Sequence, residues 1–239
     1  MGKTELFATL WTGAGVFGAS AIVTAIVLAF FVSFRRGGPG RFALASCTVL
    51  LFLYLQFGTD WSAGFYLRPD GVQPSRARCI ANVALYALQS MMMAAACHLG
   101  YQDGKNVVLI GTSAGVMFGL ADLASDGVGW LPWTAGLAAN AWLLLLVGIK
   151  SGSNDWRAIS AYVVGAITFF FPLPLCQALS WTMGGVIDGD YINRENAEIF
   201  YLIVYTFGVP LWNWWVMFTY ERLPEERRRN DWLEHAKAE

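Results

Sequence analysis

Cysteine and histidine are the side chains with which a short chain most readily holds a metal or a haem, and there are four of the first and two of the second. Cys47, Cys79, Cys97 and Cys176 form no C-x-x-C pair and fall within or at the ends of apolar runs, where a cysteine behaves as a small hydrophobe. His98 closes the third apolar run and His235 stands in a polar tail. A haem held between two helices needs both ligands at membrane depth, which this pair does not supply, so no metal, haem or other cofactor is expected. What remains is amide and phenol chemistry. Asn82, Tyr86 and Gln89 recur at helical spacing and share one face, and Gln56, Asn140, Gln177, Tyr205 and Asn213 are further polar groups inside apolar runs. Buried amides in a bilayer seek one another across helices, for about 0.6 kcal/mol and up to roughly 2. Asn82, Tyr86, Gln89, Gln177, Tyr205 and Asn213 are therefore expected to form a buried polar network, read either as a structural hydrogen-bond network or as a binding site or polar path. No nucleophile, and no acid with a base, accompanies them, so no enzyme activity is expected.

The elements that position these groups follow from composition. The 239 residues are 56% hydrophobic and only 14% Asp, Glu, Lys and Arg, about half the charge of an ordinary soluble domain. A membrane-spanning helix needs roughly 20 apolar residues, and seven such runs are present: 8–34, 42–65, 79–99, 106–124, 130–149, 158–183 and 199–219. The expectation is an all-α membrane protein, a bundle of seven transmembrane helices over residues 1–219 with a short charged tail over 220–239. Only Asp60 and Asp122 carry charge inside the runs, each near an end, and the interior is expected to be uncharged. A net charge of -1 excludes a nucleic-acid partner, which would call for a basic surface.

Arg36-Gly-Gly-Pro-Gly40, Gln102-Asp-Gly-Lys105, Ser125-Asp-Gly127 and Asp188-Gly-Asp190 punctuate the runs as tight turns between antiparallel neighbours. The longest connection, Tyr66 to Arg78, holds Pro69, Asp70, Gly71 and Pro74 and is expected to cap the bundle as a hairpin. Eleven of the sixteen Lys and Arg fall on the face that carries the C-terminus, which orients that face inward and the N-terminus outward. The first run, 27 residues with no basic start, is too long for a cleavable leader and is expected to act as the insertion signal. Trp130, Trp133, Trp156 and Trp181 near the run ends fit an interfacial belt.

Seven helices with short loops and one longer outer connection resemble the microbial rhodopsins, and three stretches carry the resemblance. Gln73-Pro-Ser-Arg-Ala-Arg78 is similar to the segment that places an arginine under that family's retinal pocket. Val107-Val-Leu-Ile-Gly-Thr-Ser-Ala-Gly-Val-Met-Phe-Gly119 resembles the small-residue fourth helix that packs flat against the polyene. Pro172 and Pro174 stand where the sixth helix of the family carries a kinking proline. The resemblance implies a retinal Schiff base on a lysine in helix seven, yet lysines occur only at 3, 105, 150 and 237. Carried across residue by residue, it puts Val209 at the retinal-lysine position and Ala81 and Tyr205 at the counter-ion positions. Asn82 falls at a pocket tryptophan, Met92 at the proton-donor position, and Trp133 at a pocket-wall aromatic. A pump needs protonatable groups along its path, and each of these positions is neutral.

The expected function is a retinal-free, rhodopsin-like membrane protein serving as a non-catalytic accessory or scaffolding subunit of a larger membrane complex, respiratory or photosynthetic assemblies being one setting. The expected partners are the lipid bilayer and other membrane protein subunits, in an organelle inner membrane or a plasma membrane. Pro224, Glu225 and Glu226 resemble a helix start, and Trp232 and Leu233 in the tail are expected to contact a partner. The alternative is a small-molecule or lipid-binding sensor or transporter that uses the vacated retinal pocket.

Overall fold

Hydrocarbon offers a peptide group no hydrogen-bond partner, and a helix satisfies its backbone within one segment. The computed structural model describes residues 3–30, 39–59, 76–124, 128–151, 156–185 and 194–221, and the apolar runs in it are helical. The first five crossings are single helices: α1 (Lys3–Phe30), α2 (Gly40–Thr59), α3 (Arg76–Ala96), α4 (Tyr101–Leu123) and α5 (Trp130–Lys150). The sixth divides into α6 (Trp156–Gly165), a wide turn π1 (Ala166–Phe170) and α7 (Pro172–Gly185). The seventh divides into α8 (Arg194–Thr206), a second wide turn π2 (Phe207–Leu211) and α9 (Trp212–Glu221). Six segments are long and apolar enough to cross a bilayer, and Gly40–Gln56 is a shorter apolar one. The chain is a multi-pass integral membrane protein built as a seven-helix bundle. Consecutive helices pack on one another, and the seventh crossing closes the bundle, α8 against α1 and α9 against α2, α3 and α6.

Both wide turns have a chemical cause. A proline has no N–H to return to the carbonyl four residues earlier, and its ring crowds that carbonyl. Pro172 withholds its bond from Thr168, Pro174 from Phe170, and Pro210, inside π2, from Thr206. The backbone widens in response: the Phe171 N–H donates to the Ala166 carbonyl at 3.0 Å, five residues back, and the Trp212 N–H reaches the Phe207 carbonyl in the same way. A side chain from a neighbouring helix completes the repair at Phe170, whose carbonyl accepts from the buried Asn140 amide of α5 at 2.6 Å. The Trp133 indole of the same helix donates to the Pro174 carbonyl at 3.3 Å.

Small residues let α3 and α4 approach closely. A Cβ on Gly115 would lie 2.9 Å from the Tyr86 Cβ and 3.1 Å from the Val83 Cα, and Gly111 faces Ser90 in the same way. The small-residue face of the fourth helix thus receives side chains of α3.

Two expectations change. Gln102-Asp-Gly-Lys105 is helical, not a turn: α4 begins at Tyr101, and α3 is joined to it through Cys97 to Gly100 with His98 at φ 51°. Asp103 then lies at the positive end of the α4 dipole and meets Lys150 of the last turn of α5 at 3.5 Å, a placement that suits both charges. The interior is also not free of charge, since Arg78 is 6% and Asp122 5% exposed. They sit in the first turn of α3 and the last turn of α4, at the bundle end that carries the N-terminus, where helix packing closes over them. The Arg78 guanidinium lies 4.1 Å above the Tyr201 ring, and the Cys79 thiol donates to Asp122 Oδ2 at 3.6 Å. The aromatic runs are divided between core and lipid: Phe169, Phe170 and Trp212 are buried, while Phe171 and Trp215 face outward. The expected hairpin at Pro69 to Pro74, Asp60, the other loop turns, the Trp181 side chain and the tail with Trp232 and Leu233 lie outside the described residues.

Asn140→Leu leaves the Phe170 carbonyl without its donor in the bundle interior. The variant should lose about 1–2 kcal/mol of stability, which for a chain of this size is a fall of about 2–8 °C in the melting midpoint. Thermal unfolding in detergent measures this, and an unchanged midpoint would remove Asn140 from the account of the kink.

Candidate functional site

Residues of α3 and of the seventh crossing face each other through the depth of the bundle, and the sequence-derived positions fall along this seam. Nearest the N-terminal end, Arg78 covers Tyr201, whose ring stacks on Tyr205 with centroids 5.9 Å apart. One turn deeper, the Tyr205 hydroxyl donates to Asn82 Oδ1 at 2.6 Å. The position expected to hold a counter-ion and the position expected to hold a pocket tryptophan thus form a neutral phenol–amide pair, both members buried. Ala81 is buried beside them, and Val209 and Met92, deeper still, are completely buried.

The space between these helices and α4 holds aromatic rings. Tyr86 packs against Phe118, Phe169 and Phe170 with centroids 5.4, 5.2 and 6.0 Å away, and Phe170 meets Trp212 edge-on at 6.1 Å. These separations are those at which aromatic pairs attract. Trp212 is pinned by its indole, which donates to the Ala161 carbonyl at 2.9 Å. The fit is tight enough that a Cβ on Gly165 would lie 2.6 Å from the Trp212 Cε2 and 2.9 Å from the Met93 Cε.

The expected six-membered network divides. Asn82 and Tyr205 meet, as described. Gln177 of α7 turns to the opposite side of the bundle, where its amide donates to the Phe118 carbonyl at 2.8 Å. Tyr86, Gln89 and Asn213 are buried without a hydrogen-bond partner among the described residues. The division has a geometric reason: the stripe from Asn82 to Gln89 runs about 10.5 Å along the helix axis, too far for one set of direct bonds. Two residues were missed as participants. Asn140 was legible as the donor for Phe170, because Pro174 stands four residues after that carbonyl. Arg78 was legible through the resemblance as an arginine under the pocket, but its stacking over Tyr201 was not.

Among the described residues no group of three or more His, Cys, Asp or Glu is placed to hold a metal. The residues of the seam also do not fit a covalently attached aldehyde. No amine is present, since Val209 is aliphatic and no lysine lies between Ile199 and Thr219.

No protein-family profile matches the chain, and no curated protein matches it in sequence. Solved structures do match. The light-driven proton pump rhodopsin CsR of Coccomyxa subellipsoidea superposes with a TM-score of 0.76, 17% identity, and coverage of 91% of this chain and 97% of that one. The fold is that of the microbial rhodopsins. A bromide-bound form of halorhodopsin from Halobacterium salinarum matches at a TM-score of 0.75 and 13% identity over 94% of this chain and 96% of that one. The transmembrane domain of the Salpingoeca rosetta rhodopsin phosphodiesterase matches at 0.75 and 10% over 92% and 86% respectively. At such identities what is shared is the rhodopsin fold, and the chemistry has to be read from the seam itself.

If the phenol–amide pair ties α3 to the seventh crossing, Tyr205→Phe, which removes only a hydroxyl, should cost about 0.5–1.5 kcal/mol. Asn82→Leu should cost a similar amount, and the double variant little more than either alone, since both remove one bond. Strictly additive losses in a detergent unfolding series would mean that the two side chains do not act as a pair.

Proposed function

We propose that this chain is a retinal-free, rhodopsin-fold membrane protein that serves as a non-catalytic accessory or scaffolding subunit of a larger membrane complex, with the face carrying the N-terminus outside. Respiratory or photosynthetic assemblies are the setting that such a silent bundle suits. The observation that carries the reading is Val209, completely buried on a seam whose matched positions Ala81, Met92 and Tyr205 are all neutral. A proton or ion pump needs ionisable groups at depth, and the described seam has none below Arg78. The rings of Tyr86, Phe118, Phe169, Phe170 and Trp212 pack on one another inside the bundle. What such a bundle offers is its outer surface, for lipid and for other membrane subunits.

A second reading has its own support. Tyr86, Gln89 and Asn213 are buried without hydrogen-bond partners among the described residues, and one structural neighbour is the transmembrane domain of a rhodopsin phosphodiesterase. These favour a sensor or transporter that takes a small molecule or lipid into the bundle.

Two measurements test the reading. The purified protein incubated with all-trans retinal should develop no red-shifted, hydroxylamine-sensitive visible band, and the appearance of one would sink the retinal-free assignment. Native mass spectrometry after extraction in mild detergent should find the chain with stable partner chains. A chain that emerges alone with a retained small molecule would instead select the sensor or transporter.

A further inference from the structure

The seventh crossing and α3 run in the same direction, and two contacts set their relative height. Arg78 over Tyr201 and Asn82 with Tyr205 are four residues apart on both helices, so the two are in step at this end of the bundle. Gln89 follows Asn82 by seven residues, which adds about 10.5 Å of rise and returns it to within about 20° of the same face. Asn213 follows Tyr205 by eight, and on a regular α-helix it would be turned about 80° away. The wide turn π2 lies between them, and such a turn absorbs one extra residue. With that residue discounted, Asn213 returns to the face of Tyr205 and to the depth of Gln89, on helices that pack directly on each other.

Both side chains are 0% exposed, and neither the nitrogen nor the oxygen of either amide has a hydrogen-bond partner among the described residues. Two carboxamides at one depth present two donor and two acceptor groups in a low-dielectric interior, where unpaired polar atoms are costly. Apolar matter cannot satisfy them. An ion is disfavoured as well, because the buried charges Arg78 and Asp122 belong to the N-terminal end of the bundle, Arg78 being eleven residues and so about 16.5 Å of rise above Gln89. A neutral molecule that both donates and accepts satisfies both amides, and a buried water, which makes two to four such bonds, is the smallest that does so.

We propose that Gln89 and Asn213 form an internal water-binding site in the inner half of the bundle, the two amides held at one depth by the extra residue of π2. Val209 and Met92, both completely buried, are its apolar neighbours in sequence on the two helices. Water at this site satisfies Gln89 and Asn213, two of the three residues on which the sensor reading rests.

The test uses the full chain in lipid nanodiscs with nitrogen-15 in the Asn and Gln side chains. The Gln89 and Asn213 amide resonances, identified by their disappearance in Gln89→Met and Asn213→Leu, should each show magnetisation transfer from water. Loss of either amide should abolish the water signal of the other. The double variant, which removes all four polar atoms, should melt no lower than either single. Transfer between the two amides with no water signal would replace the site with a direct amide pair and overturn the proposal. A water signal at Asn213 that is unchanged by Gln89→Met would equally overturn it, because the site would not be shared. Gln89→Glu and Asn213→Ser, which keep a polar group, provide the assignments if the apolar variants do not fold.

Discussion

A carbonyl inside a bilayer has no water to turn to, and Pro172, Pro174 and Pro210 each withhold the N–H that a carbonyl four residues earlier would use. Much of the interior is arranged around that shortage. The backbone widens at π1 and π2, and Asn140 crosses from α5 to the Phe170 carbonyl. That repair requires a neighbour at a fixed height, so Pro174 ties the register of the fifth and sixth crossings as much as it bends the sixth. Glycine at 111, 115, 165 and 208 then admits the side chains and backbones that this register brings into contact.

How much of this was written in the sequence depends on the distance over which each property is decided. Helix number and membrane class follow from the local density of apolar residues, and both were legible. The fold could be read from three short stretches, even though the sequence identities to solved rhodopsin-fold structures are only 10–17%. Connections were less legible. Gln102 to Lys105 has the composition of a turn, yet Asp103 gains a helix dipole and Lys150 of the next helix, a tertiary partner that no local pattern announces. The polar seam was half legible: periodicity puts Asn82 and Gln89 on one face, but the pairing of Asn82 with Tyr205 spans 123 residues. Arg78 was set under the pocket by the resemblance alone, and its stacking over Tyr201 is a property of the assembled bundle.

Neutral polarity along the seam is the feature on which the proposed function rests. In a pump the centre of the bundle must change its protonation and recover. The positions that the sequence resemblance matches to those groups hold Ala81, Met92, Tyr205 and Val209, and the phenol–amide pair of Tyr205 and Asn82 joins two helices without a charge. The aromatic packing around Tyr86 and Trp212 adds cohesion of the same passive kind.

Gly208 has a mechanical consequence. A Cβ there would lie 2.6 Å from the Thr168 carbonyl oxygen and 3.1 Å from the Phe169 Cα, so the backbones of the two wide turns touch at the weakest point of each helix. Where a lone bent helix would swing like a gate on its hinge, here the two hinges bear on one another, and tilting the sixth crossing has to carry the seventh with it. The two crossings are locked as a single strut, in which a push at one membrane surface is transmitted to the other instead of being taken up by bending.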